Sequence, residues 1–133
     1  MSATEERRQR QRFAALRDGK ACIEILIDGQ RTPLMDLSLD GFSLSADFPL
    51  PEGAFDFSLR LIDGFGDKVR GSARIMNHAG QGSSALTGCR ILSLNEGCEK
   101  TLLEWLVVIV ICSASVRLTP HEAEAIVQGP SLI

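Results

Sequence analysis

Between residues 42 and 94 the chain alternates its residue types with a period of two and leaves no room for a crossover helix. Phe55, Phe57, Leu59 and Leu61 alternate with Asp56, Ser58 and Arg60. That is the pattern of a strand with one face in a core and one in water. Phe42, Leu44 and Ala46 alternate with Ser43, Ser45 and Asp47 in the same way. Val69, Gly71, Ala73 and Ile75 predict a further strand, and Ala85–Leu94 a last one. Pro49, Pro51 and Gly53 separate the first two. Asp63-Gly64-Phe65-Gly66-Asp67 and Gly80–Ser84 separate the others. A parallel connection takes a dozen residues or more, usually a helix, so strands this closely spaced pair antiparallel.

Upstream, Lys20–Ile27 predicts a strand and Asp28-Gly29 a tight hairpin. Arg31–Leu37 is the return strand, broken by Pro33 near its start. The count is six strands, and closing them into a small antiparallel barrel removes the exposed edges. After Leu94 the pattern changes. Residues 95–112 lack Pro, and the spacing of Leu102, Leu103 and Leu106 predicts a helix despite a Val-Val-Ile-Val-Ile run. Thr119-Pro120-His121-Glu122 reads as a capping box opening a short helix that ends near Gln128, before Gly129-Pro130. The expected division is a basic, flexible arm over 1–19, a barrel over 20–94 and a helical segment over 95–133.

The chain has 133 residues and a net charge of −3. Residues 1–20 hold six basic and three acidic residues, and the remainder eight basic and fourteen acidic. The body is thus acidic and the arm basic. With one Trp and no Tyr, the body lacks the basic, aromatic groove of a single-strand nucleic-acid binder. No nucleic-acid partner is expected.

Cys22, Cys89, Cys98 and Cys112 include no C-x-x-C pair, so free thiols in a reducing compartment are expected, and no metal. The polar, Arg-rich start is unlike a signal peptide, which predicts a cytoplasmic protein. Leu102–Val116 is shorter than about 18 apolar residues and carries Glu104, so a packed helix is expected and no membrane insertion. Its apolarity exceeds one contact face, which leaves room for a homodimer. Two histidines, with neither H-E-x-x-H nor G-x-S-x-G, argue against an enzyme.

Two elements carry chemistry. One is Arg7-Arg8-Gln9-Arg10-Gln11-Arg12 and the other Asp36-Leu37-Ser38-Leu39-Asp40-Gly41. Arginine grips a phosphate or the acceptor edge of guanine through two parallel hydrogen bonds. Asp36 can accept from a guanine ring N–H and amino group, Ser38 can donate or accept, and Gly41 allows a tight turn or close approach. A solvated tail and an Asx-type turn are the simpler readings of each element alone.

Together, in this order, they resemble the signature of the PilZ domain family: R-x-x-x-R, then [D/N]-x-S-x-x-G one hairpin later. The resemblance covers roughly residues 7–112. It implies a six-stranded antiparallel β-barrel with C-terminal helix or helices. It also implies binding of cyclic di-GMP, usually as an intercalated dimer, with no other cofactor. Arg8 and Arg12 would clasp phosphates and guanine edges, Asp36 and Ser38 would hold a guanine, and Gly41 would shape the turn. A basic residue often precedes the family's motif, as Arg7 does here.

Arg7, Arg10, Arg74 and His78 are secondary candidates, with His78 in the loop after its strand and able to stack on a base. Such a receptor would act on a downstream protein partner. The alternative is a PilZ-like interaction scaffold that does not bind the nucleotide. Ile91 stands where the family commonly has an aromatic residue, and the run after Thr119 is an extension.

Overall fold

In a computed structural model, residues 10–46, 48–62, 66–79 and 86–130 are described. Among these residues nine strands precede two helices. They are β1 (Phe13–Ala14), β2 (Leu16–Arg17), β3 (Lys20–Ala21), β4 (Ile23–Ile27), β5 (Gln30–Leu37), β6 (Gly41–Leu44), β7 (Ala54–Leu61), β8 (Val69–Ala79) and β9 (Leu86–Leu94). The helices are α1 (Cys98–Ser113) and α2 (Pro120–Gln128).

Strands β4 to β9 form a closed antiparallel barrel in the order β5-β4-β7-β8-β9-β6, with β6 returning to β5. Every pairing is antiparallel. The expected six-stranded barrel with C-terminal helices is therefore the architecture observed. Ile23, Ile25, Ile27, Leu34, Phe42, Leu44, Phe57 and Leu59 fill it, and the rings of Phe42 and Phe57 meet at 5.1 Å and 59°. That separation and tilt suit an aromatic pair.

Three details differ from the sequence reading. The sheet starts before residue 20: β1 pairs with β5 through Phe13↔Leu37 and Ala14↔Asp36, and β2 pairs with β3. Ala15, between them, is fully buried. Pro33 does not break β5 but sits inside it, opposite Glu24. Pairing of β5 with β6 begins only at Leu34, so Pro33 occupies an edge-like position where a missing N–H is tolerated. Strand β8 runs on to Ala79 because bulges near Ser72/Ala73 and Ile75/Asn77 bend it along β9. His78 therefore lies in a strand, where its Nδ1 is 3.1 Å from Thr87 Oγ1.

Helix α1 closes over the barrel with Leu102, Leu106, Ile109 and Val110 buried. The apolar length of the helix overrides its β-branched propensity. Helix α2 opens on the expected capping box. Thr119 Oγ1 accepts from Glu122 N at 3.1 Å, and Glu122 Oε1 accepts from Thr119 N at 3.0 Å. It packs on α1 through Ala123 and Val127, both fully buried. Part of the apolar surface of α1 is thus covered from within the chain. No helix among the described residues is long and apolar enough to cross a membrane.

Candidate functional site

The site begins with a bulge. Along β5, Thr32 and Leu34 point into the core, and a strict period of two would turn Asp36 inward as well. The β5–β6 register instead passes from Leu34↔Leu44 to Asp36↔Ser43, so Met35 is an extra residue. The bulge re-aims the strand. Leu37 enters the core, and Asp36 faces outward beside Ser43. The bulged residue is also held from outside, because Ala15 N donates to Met35 O at 3.0 Å.

The turn from Ser38 to Gly41 follows. Ser38 is fully buried. Its Oγ donates to Asp40 Oδ1 at 2.8 Å and accepts from Asp40 N at 3.3 Å and Gly41 N at 3.1 Å. Ser38 N donates to Gly41 O at 2.8 Å. The serine hydroxyl thus closes the turn on itself. Asp40 O accepts from Ile91 N at 2.9 Å, which ties the turn to β9.

Gly41 is required for space. A Cβ there would lie 2.5 Å from Cys89 O and 2.9 Å from Arg12 Nη2. The close approach is made by the neighbouring strand and by the arm's own guanidinium.

Arg12 reaches this wall from the arm. Its Nη1 donates to Asp36 Oδ1 at 3.2 Å and its Nη2 to Cys89 O at 3.5 Å. The pair is partly buried, with side-chain exposures of 13% for Arg12 and 26% for Asp36. Arg12 Nε and Ser43 Oγ are buried without a hydrogen-bond partner among the described residues. Ser43 lies opposite Asp36 across β5–β6 and opposite Gly88 across β6–β9. A glycine at 88 admits the Asn77 side chain, whose Oδ1 would be 2.6 Å from a Cβ there. Arg90 lies opposite both Gly41 and Arg74 in register. The outer wall therefore carries Arg12, Asp36, Ser43, Asn77, Arg74 and Arg90 around a floor of glycine. Below it, burial pushes the Cys89 thiol up to about 12, with Arg12 partly opposing the shift.

Of the residues singled out in the sequence, the fold brings Arg12, Asp36, Ser38 and Gly41 together. Arg7 and Arg8 lie outside the described residues. Arg10 turns to α2, where its Nη1 donates to Gln128 O. Arg74, at the edge of that wall, lines an adjoining groove with His78, Phe48, Glu52 and Thr87. Sequence reasoning missed Ser43, Asn77 and the Cys89 carbonyl. Only Ser43 left a signal, as the polar member of an alternating strand. The other two depend on strand register. Among the described residues no cluster of His, Cys, Asp or Glu could hold a metal ion.

These features define a class: a closed antiparallel barrel with a basic arm clamped by ion pairing to a polar patch on its outer wall. A model of the PilZ domain family matches residues 6–107, and the chain belongs to that family. PilZ domains are non-catalytic receptor or adaptor modules that generally bind cyclic di-GMP. The Bacillus subtilis inhibitor of motility (MotI/DgrA) has a similar fold, with a TM-score of 0.55 and 17% identity over 74% of this chain. This chain spans 49% of that protein's length. No curated protein matches it.

Proposed function

We propose that this domain is a cyclic di-GMP receptor of the bacterial cytoplasm that passes the level of the messenger to a partner protein. The observation that supports this most is the Arg12–Asp36 pair beside the hydrogen-bonded Ser38–Gly41 turn. It sets a forked cation beside a carboxylate on a wall too tight for any residue but glycine at 41. An incoming nucleotide phosphate competes with Asp36 for Arg12. Asp36, released, then accepts from the ring N–H and amino group of a guanine.

The buried Arg12 Nε and Ser43 Oγ add unused polar capacity at the same place. Ser38 supports this site by holding the turn. Arg8 belongs to it through the family's R-x-x-x-R signature, and Arg7 extends the cationic arm. The intercalated dimer of the nucleotide, with two more phosphates and stacked bases, matches a site that needs several arginines.

Calorimetric titration with cyclic di-GMP, with GTP and cyclic di-AMP as controls, tests the reading. Saturable binding of cyclic di-GMP alone is the expected result. Asp36→Ala should weaken binding with little change in salt dependence, whereas Arg8→Ala should reduce that dependence. Equal heats for all three nucleotides would reject guanine recognition.

A further inference from the structure

Helix α2 lies beyond the family match, which ends at residue 107, yet it contacts the arm and borders a groove that reaches the turn. On the arm side, Arg10 pairs with Pro130 as an antiparallel bridge, and its guanidinium donates to the carbonyl of Gln128. On the turn side, Gln128 shares a groove of about 470 Å³ with Leu39, Ile91 and Leu92. Leu39 is inside the Ser38–Gly41 turn.

The chemistry of the contact is specific. The last carbonyls of a helix have no partner within it and carry the negative end of its dipole. Helix α2 has no basic residue in its last turn. Arg10 supplies that missing cation from the other end of the chain. Two residues further on, Arg12 sits on Asp36 and the Cys89 carbonyl. An extended chain advances only about 7 Å in two residues. Whatever fixes Arg10 therefore restricts where Arg12 can be.

We infer that α2 is a clasp for the arm and that Arg10 is a positioning residue for Arg12. Arg10 is held by the helix while Arg12 is already docked on the wall, so the clasp favours the docked arm. Ordering the arm in advance removes part of the conformational cost of binding an anion there. By reciprocity, ligand at the wall tightens α2, and a partner that grips or releases α2 changes ligand affinity by the same factor. The inference rests on the receptor reading for its ligand and on the Arg10–Gln128 contact for its mechanism.

The test uses the full chain, with cyclic di-GMP as probe and amide exchange over residues 120–130 as second readout. Wild type should show slower exchange in α2 when the nucleotide is present. Arg10→Ala should weaken binding about threefold to tenfold and abolish that protection, and Arg10→Lys should restore part of both. Thr119→Ala removes the cap at the far end of α2, away from the wall. It should weaken binding about twofold to fivefold, which a direct ligand contact by Arg10 would not explain. Unchanged affinity in both Arg10→Ala and Thr119→Ala overturns the clasp, as does ligand binding without any change in α2. A wild type that binds no cyclic di-GMP rejects the receptor reading instead. The clasp is then decided without ligand: faster exchange of α2 in Arg10→Ala supports it, and exchange equal to wild type overturns it.

Discussion

The two halves of the site are built in opposite ways. The turn from Asp36 to Gly41 is mainly a local object: a bulge aims it, one serine hydroxyl closes it, and the hydrogen bonds of that hydroxyl span two or three residues. The arm from Arg10 to Ala14 is placed from a distance. Its anchors are Asp36, the Cys89 carbonyl and the Gln128 carbonyl, up to 118 residues away. The turn is therefore part of the barrel, whereas the arm is joined to it by the β1–β5 pairing and by these long-range contacts; on the proposed reading the arm is the movable half. A receptor needs both, because a rigid half gives specificity and a movable half can report occupancy.

That contrast can be broken in order of effect. Gly41→Ala strikes the rigid half hardest, because the new methyl meets a backbone oxygen that β9 holds in place. A loss of about 3 kcal/mol in stability is expected, with binding lost as well. A thermal melt within a degree of wild type would show that the wall is softer than argued. Ser38→Ala should cost about 1–2 kcal/mol, because the buried amide of Gly41 and the partly buried amide of Asp40 lose their acceptor. If Ser38→Ala lowers affinity but leaves the melt unchanged, the hydroxyl serves ligand and not turn.

The thiols give a gentler probe. Cys89 is fully buried, with a pKa near 12, and Cys112 is exposed. At pH 8 the thiolate fraction of Cys89 is then about 10⁻⁴. An alkylating reagent should modify Cys112 first and Cys89 only on unfolding. Early labelling of Cys89 would mean that displacing the arm opens the wall. The raised pKa exceeds the ordinary 9.0. The neutral thiol's contribution is therefore complete below about pH 9 and declines as pH rises toward 12.

The smallest effect concerns α2. Hydrogen bonds from Thr119 hold the Glu122 carboxyl below its ordinary pKa. Its contribution is present above about pH 4.5 and is lost as pH falls through the lower, folded value. Amide exchange at the start of α2 should quicken in acid, and Glu122→Gln should remove that dependence, whereas Thr119→Ala should keep part of it because its backbone N–H still donates to Glu122.

The same division explains what could be read beforehand. The alternation at Phe55–Leu61, the Asp28-Gly29 hairpin and the Thr119–Glu122 cap are local codes, and each became the element expected. The turn motif was legible for the same reason, although its serine works inward. Pro33 within β5 and the extension of β8 to Ala79 depend on which partner strand ends where. No local pattern records that. Nor could spacing show that Met35 bulges and turns Asp36 outward, or that Arg10 would find the end of a helix 118 residues away.

The central claim is that a cation on the movable arm and a carboxylate on the rigid wall form one nucleotide site. Its most direct measurement is the calorimetric titration of cyclic di-GMP into wild type and Arg12→Ala, each checked by thermal melt. Wild type should bind, and the variant should lose about 2–4 kcal/mol, some 30- to 1000-fold in affinity. Its melt should fall by no more than about 1 kcal/mol equivalent, since Asp36 keeps access to water. No wild-type binding at about 100 µM nucleotide, or equal binding by the folded variant, would contradict the account.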